Sequence, residues 1–226
     1  MSTTRRRVGV VLAVGDATRL PGKLLLPIDR DLICIESAIL FCIKSYCKEI
    51  IVVHNCTGII PEILRMKGWY YMDSISLLDQ QHATGVMDAL RLVEQCKGSQ
   101  NHTHEILITF GDNVYPNDEK VERYALPNIA SCRAIYDHNL YEQLDYYGMN
   151  GWTKRCDNPT FPSCMSFAGW ILAKNPLKCG SHQHICDWLN AINFEPVYCQ
   201  AAGWADIGTL YSYGRYLESC QQGRRS

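Results

Sequence analysis

Three short stretches carry the residue types that could do chemistry. The first is Val14-Gly15-Asp16-Ala17-Thr18-Arg19-Leu20-Pro21-Gly22-Lys23. Small residues let backbone N–H groups approach phosphate oxygens, and Arg19 and Lys23 add positive charge. The second is Gly111-Asp112-Asn113, which directly follows an apolar run. A carboxylate at the exit of a buried strand suits Mg²⁺, which takes oxygen ligands and shares them with phosphates. The third is Gly203-Trp204-Ala205-Asp206-Ile207-Gly208-Thr209, ahead of a helical pattern. Taken singly, each has an ordinary structural reading: a plain glycine turn, a turn-capping aspartate, and Asp206 as a helix N-cap with Thr209 nearby. The first stretch is neither a Walker loop, since Gly15 and Gly22 are too far apart and Leu24 stands where Ser or Thr is required, nor a GxGxxG loop. Together, two strand-exit aspartates and a basic glycine loop point to metal-assisted phosphoryl chemistry.

Such groups need a scaffold that brings strand ends together. Residues 8–13, 50–53 and 106–110 are continuous apolar, β-branched runs of the kind buried on both faces of a sheet. Between them, residues 35–47, 60–67 and 85–96 carry apolar positions at helical spacing, and an extended stretch lies within 69–78. The alternation predicts an α/β chain with a parallel sheet covered on both faces, whose ligands bind beyond the carboxyl ends of the strands. Residues 129–135 and 165–173 read as further strands. The Tyr-, Gly-, Asn- and Pro-rich stretch from 139 to 162 reads as a loop-rich, partly antiparallel insertion. Residues 182–192 return to helix, 196–200 to strand, and 207–219 to a last helix.

Length and composition fit one domain. The chain has 226 residues, 47% of them hydrophobic and 20% charged, which excludes a disordered or fibrous protein. With 22 basic against 23 acidic residues, a strongly basic nucleic-acid binder is not expected, and no nucleic-acid partner is assigned. Twelve cysteines are spread without any Cys-x-x-Cys pair, several inside apolar runs, as reduced thiols packed like small hydrophobes. They predict a reducing, cytoplasmic setting. The basic start has only a seven-residue apolar run after it, which is not a signal peptide. No run approaches the ~20 residues needed to span a bilayer, so no membrane partner is expected.

In order and spacing, these segments resemble the sugar-1-phosphate nucleotidyltransferases, or nucleotide-sugar pyrophosphorylases, over nearly the whole chain. Leu12-Ala13-Val14-Gly15-Asp16-Ala17-Thr18-Arg19-Leu20 with Lys23-Leu24-Leu25-Leu26-Pro27-Ile28 is similar to the family's signature loop. Gln80 with Thr84-Gly85-Val86-Met87-Asp88-Ala89 is similar to its nucleobase segment, and Phe110-Gly111-Asp112-Asn113 to its metal-binding strand end. Tyr147-Gly148 and Ala168-Gly169 resemble its sugar-site positions, and residues 203–209 its second metal motif. The thymidylyl- and uridylyltransferases are the nearest branch; Arg19-Leu20-Pro21-Gly22-Lys23 also resembles the enzymes that activate sugar acids with CTP.

The resemblance implies a Rossmann-like three-layer α/β/α, GT-A-like fold with a mixed, mostly parallel sheet, in one domain over 1–226. A shortened sugar-site insertion would occupy about 136–165. It implies transfer of a nucleoside monophosphate from a nucleoside triphosphate to a sugar-1-phosphate or similar phosphate, with pyrophosphate released, and a possible homo-oligomer. Asp112 and Asp206 would hold Mg²⁺. Arg19, Lys23 and Lys154 would be catalytic. Leu12, Ala13, Gly15, Gln80, Gly85 and Asp112 would bind nucleotide, and Tyr147, Gly148 and Gly169 sugar. The chain departs from the pattern at Val14, where a small residue is usual, and at Ala17, where glycine is common. The family's Glu-Lys-Pro element is broken, and Trp152-Thr153-Lys154-Arg155 is the nearest candidate. These departures motivate an alternative, a nucleotide-binding protein of the same fold without turnover. A glycosyltransferase would be expected to carry Asp-x-Asp, which Asp112-Asn113-Val114 is not.

Overall fold

The structure, a computed structural model, describes residues 6–14, 20, 22–55, 59–69, 72–81, 85–97, 105–117, 119–121, 131–135, 146–148, 151–153, 165–173, 177–192, 194–198 and 204–223. The first half alternates as the apolar runs require: β1 (Arg7–Ala13), α1 (Cys34–Lys44), β2 (Glu49–His54), α2 (Ile59–Met66), β3 (Ile75–Asp79), α3 (Val86–Lys97) and β4 (Glu105–Phe110). Then come β5 (Asn113–Val114), β6 (Ser131–Ile135), β7 (Tyr146–Gly148), β8 (Gly151–Thr153), β9 (Met165–Ala173), α4 (Ile185–Ala191), β10 (Glu195–Tyr198), β11 (Ala205–Asp206) and α5 (Leu210–Gly223).

Among the described residues the main sheet runs β10-β6-β9-β4-β1-β2-β3, with β7 and β8 attached beside β9. β1 pairs in parallel with both β2 and β4, and β2 with β3. β9 runs antiparallel to β4 and to β6. The sheet is therefore mixed, as expected. Alternate residues of β1 feed two cores. Val8, Val10 and Leu12 pack with Leu90 and Val93 of α3 and with Trp188 of α4. Val11 and Ala13 pack with Ile35, Ile39 and Phe41 of α1 and with Leu64 of α2. Helices thus cover both faces, and the helix side changes between the connections that flank β1 and β4. The C-terminal ends of these two strands form the crevice where such sheets bind ligands.

Three boundaries differ from the sequence reading for local reasons. The helix expected over 35–47 stops at Lys44. There, Tyr46 takes a left-handed conformation (φ 57°), with Cys47 N donating to Cys42 O and Tyr46 N to Ile43 O. That bond pair is the Schellman cap. The helix expected over 182–192 starts at Ile185, because the His184 imidazole accepts the Cys186 N–H at 3.2 Å. The last helix starts at Leu210, where Thr209 Oγ1 accepts from Ser212 N at 3.1 Å and Ser212 Oγ accepts from Thr209 N at 3.0 Å. Thr209 is thus the cap, and Asp206 is released from that role.

The start of α1 is pinned by Glu36, which is 2% exposed. Its carboxylate accepts from Ile33 N (2.7 Å), Lys67 Nζ (2.7 Å) and Trp69 Nε1 (2.6 Å), tying α1 to the end of α2. A carboxylate this buried is retained only because every donor is supplied. Glu36→Ala is expected to cost about 3 kcal/mol, read from the urea midpoint of unfolding, whereas Arg65→Ala, which breaks an exposed ion pair with Glu62, should change it little.

Candidate active site

β1 delivers Leu12 and Ala13 to the crevice, and the chain turns immediately after β4. Gly111 N donates to Leu12 O at 2.9 Å, so the exit of β4 folds directly onto the end of β1. A side chain at Gly111 would sit 3.2 Å from Leu24 Cδ2 and 3.3 Å from Leu12 O, which explains glycine there. Val14 turns its side chain into the α3-side core. Gly15 and Arg19 lie outside the described residues. The loop returns at Gly22 (φ 72°), which opens a 3-10 turn over Lys23–Leu25. That turn aims Lys23 Nζ at Asp112 Oδ2, and the two form an ion pair, each side chain about one-fifth exposed.

Asp112 and Asp206 are brought together by β5 and β11. These two-residue strands pair antiparallel, placing Asp206 opposite Asn113, and Ile207 N donates to the Asp112 carbonyl at 2.8 Å. The Asn113 amide nitrogen donates to Asp112 Oδ1 at 3.0 Å and to Asp206 Oδ1 at 3.3 Å. A nearly fully buried amide thus bridges two carboxylates that would otherwise repel. Asn113 is the residue the sequence reading missed as a site residue; its only signal was its place in Gly-Asp-Asn at a strand exit. The donor set fits Mg²⁺. It offers hard oxygens from two carboxylates. Mg²⁺ bound by one or two carboxylates completes its shell with water and substrate phosphates.

Behind this cluster lies Cys34, fully buried at the start of α1. Burial pushes its thiol well above the ordinary range, the Asp112 and Asp206 charges push the same way, and Lys23 opposes them. It packs with Leu20, Ile28, Val114 and Ile207, against which Tyr213 and Tyr216 close from α5. Tyr213 Oη donates to Pro27 O at 2.7 Å and Tyr216 Oη to Ile28 O at 3.1 Å, so the last helix holds the segment that carries Lys23.

Gln80 follows β3, its backbone N–H donating to His54 O at 2.8 Å. Its side-chain amide reaches Gly85 O at 3.2 Å, where Gly85 (φ 107°) opens α3. The expected nucleobase pair is thus in contact. His54, at the end of β2, is buried, and its Nδ1 has no hydrogen-bond partner among the described residues. Burial lowers its pKa below 6.5, with Asp79 pulling the other way.

On the other side, Gly169 lies in β9 with φ 96°. A methyl there would come 2.5 Å from Asn113 Oδ1 and 2.8 Å from Trp204 Nε1. Its carbonyl accepts a hydrogen bond from Tyr115 Oη. Gly169 therefore abuts the carboxylate bridge. Tyr147 and Gly148 lie in β7, paired with β8, and Tyr147 also pairs with Met165 of β9. β8 is held by a reciprocal clamp: Trp152 N donates to Asn190 Oδ1 at 2.7 Å, and Asn190 Nδ2 donates to Trp152 O at 2.8 Å. Trp152 is a core residue, 3% exposed, while Lys154 lies outside the described residues. A separate cavity of about 460 Å³ opens between α1, α5 and the exit of β5; Lys23, Asp112, Asn113 and Asp206 do not line it.

Comparison with solved structures finds the same architecture. A Bacillus anthracis protein assigned as a glucose-1-phosphate thymidylyltransferase, in complex with sucrose, superposes with a TM-score of 0.74 at 20% identity, over 93% of each chain. The chain shares its fold. A UDP-glucose pyrophosphorylase complexed with UDP-glucose gives 0.71 at 12% identity, over 98% of this chain and 100% of that one. A UDP-glucose pyrophosphorylase from Acinetobacter baumanii gives 0.68 at 15% identity, over 95% and 92%. No family model and no curated relative matches the sequence. Among the described residues, no helix is long and apolar enough to cross a membrane.

Two outcomes follow from this geometry. Gly169→Ala should destabilise the fold by about 2 kcal/mol, measured by urea unfolding, because its φ is left-handed and the methyl collides with Asn113. His54 is depressed in the folded state, so the unfolded chain binds more protons between its folded pKa and 6.5. Stability should therefore fall as pH drops through that window, and His54→Gln should flatten that part of the stability–pH profile.

Proposed function

We propose that the protein is a Mg²⁺-dependent nucleotidyltransferase that joins a nucleoside triphosphate to a sugar-1-phosphate or similar phosphate, releasing pyrophosphate. The observation that carries this reading is the meeting of Asp112 and Asp206 around Asn113, with Lys23 beside them, at the ends of β1 and β4. The neighbours with bound sucrose and bound UDP-glucose support a sugar and a nucleotide as ligands.

In the reaction, an oxygen of the sugar phosphate attacks the α-phosphorus, and the bond to the β-phosphate oxygen breaks in line with it. No covalent enzyme intermediate is needed, so the protein's contribution is positioning and charge. The Leu12, Ala13 and Gly15 backbone receives the nucleotide, and Gln80 and Gly85 frame the base. Lys23 is released from Asp112 to the triphosphate when the phosphates enter. Arg19 takes up charge on the departing pyrophosphate, and Lys154 orients the acceptor phosphate. Tyr147, Gly148 and Gly169 border the sugar. Asp112 and Asp206 would hold Mg²⁺, which would supply Lewis-acid charge to the phosphate oxygens. Catalysis would proceed in solution on small substrates, with neither nucleic acid nor membrane involved.

The test is pyrophosphate release, with the common triphosphates screened against a panel of sugar-1-phosphates and phosphorylated small alcohols. Asp112→Asn and Asp206→Asn should each abolish Mg²⁺-dependent release, and Arg19→Ala should lower the rate at least about tenfold, as expected for one charge-assisted contact. Near-normal turnover in both aspartate variants would overturn the metal assignment. Silence across the panel with nucleotide binding retained would leave a binding protein of this fold.

A further inference from the structure

The C-terminal cap of α1 brings two thiols together away from the candidate active site. In the Schellman cap, Cys42 supplies the carbonyl that Cys47 N reaches at 3.1 Å. The side chains at these two positions commonly touch. Here both point at Gly9 of β1: a methyl carbon placed on Gly9 would lie 2.9 Å from Cys42 Sγ and 3.3 Å from Cys47 Sγ. The absent side chain of Gly9 leaves the space the two sulfurs share. Cys42 is fully buried, its Sγ 3.7 Å from Thr109 Oγ1, while Cys47 is half-buried. One thiol is thus half-exposed to solvent and the other fully buried, and both border the same space beside Gly9.

We propose that Cys42 and Cys47 form a redox-modification site, converted reversibly to an intramolecular disulfide by hydrogen peroxide. The Cys47 thiolate attacks one peroxide oxygen and the O–O bond breaks. The departing oxygen takes up a proton and leaves as water, with Cys47 as the sulfenic acid. Cys42 sulfur then attacks Cys47 sulfur, its proton joining the departing hydroxide as a second water. Two thiols lose two protons and two electrons, and both peroxide oxygens are reduced to water. A dithiol reductant reverses the bond by exchange. The same cap carries Ser45, whose carbonyl accepts from Arg7 Nη1 and whose Oγ accepts from Val121 N at 3.2 Å, so the cross-link would form at the junction of α1, β1 and the segment around Val121.

The experiment treats the folded full chain with hydrogen peroxide, blocks remaining thiols with N-ethylmaleimide, and digests with trypsin. Lys44 lies between the two cysteines and Lys48 just beyond, so cleavage leaves peptide 45–48 attached to the peptide carrying Cys42 only through the disulfide. The expected result is this linked pair, with two of the twelve thiols lost per chain and both recovered with dithiothreitol. Fragmentation must place the bond on Cys42 and not on Cys34 of the same peptide. The link should vanish in Cys47→Ser and persist in Cys96→Ser. An unlinked 45–48 peptide while exposed Cys96 is oxidised, or a link from Cys47 to any other cysteine, would overturn the proposal.

Discussion

The antiparallel contact between β5 and β11 closes a chain segment of more than ninety residues in two residue pairs, and the candidate site depends on it. It places Asp206 opposite Asn113 and lets one amide nitrogen serve two carboxylates. Without that amide, two like charges in a half-buried crevice would each raise the cost of the other. The ladder is too short to be stable alone. Its support is Ile207 N bound to the Asp112 carbonyl, with Ile207 and Val114 fully or almost fully buried under the aromatic face of α5.

The same helix extends this constraint to the cationic loop. Tyr213 and Tyr216 hold the carbonyls of Pro27 and Ile28, a few residues after Lys23. Lys23 from the N-terminal part, Asp112 from the middle and Asp206 from the C-terminal part of the chain are thereby set against a common apolar floor that includes Cys34. Gly169 fits the opposite side because it carries no side chain where Asn113 and Trp204 converge. The site is a product of close approach, and its two glycine contacts, at Gly111 and Gly169, mark where that approach is tightest.

Much of the frame was legible because the first half of the chain obeys simple periodicity. The runs at 8–13, 50–53 and 106–110 are buried on both faces, and their alternation with helical patterns is what marks them as parallel strands. Boundaries were legible only where capping chemistry was read correctly. Tyr46 ended α1 early by entering left-handed geometry, and Thr209 displaced Asp206 as the cap of α5. The short strands β5 and β11 carry no periodic signal, since two residues cannot display a period.

The sequence by itself determined the α/β alternation, the order of the loops and which charged residues stand in the glycine loop and at the strand exits. It did so because local hydrophobic patterning and strand-exit residue types are read within a few positions. The tertiary structure alone decided that Asn113 bridges the two aspartates, that Lys23 reaches Asp112 across 89 residues, and that Cys34 lies behind them. It also decided that Cys42 and Cys47 converge on Gly9. Those relations rest on which strands become neighbours and how closely they pack. That is a property of the assembled sheet, and no stretch of the chain encodes it locally.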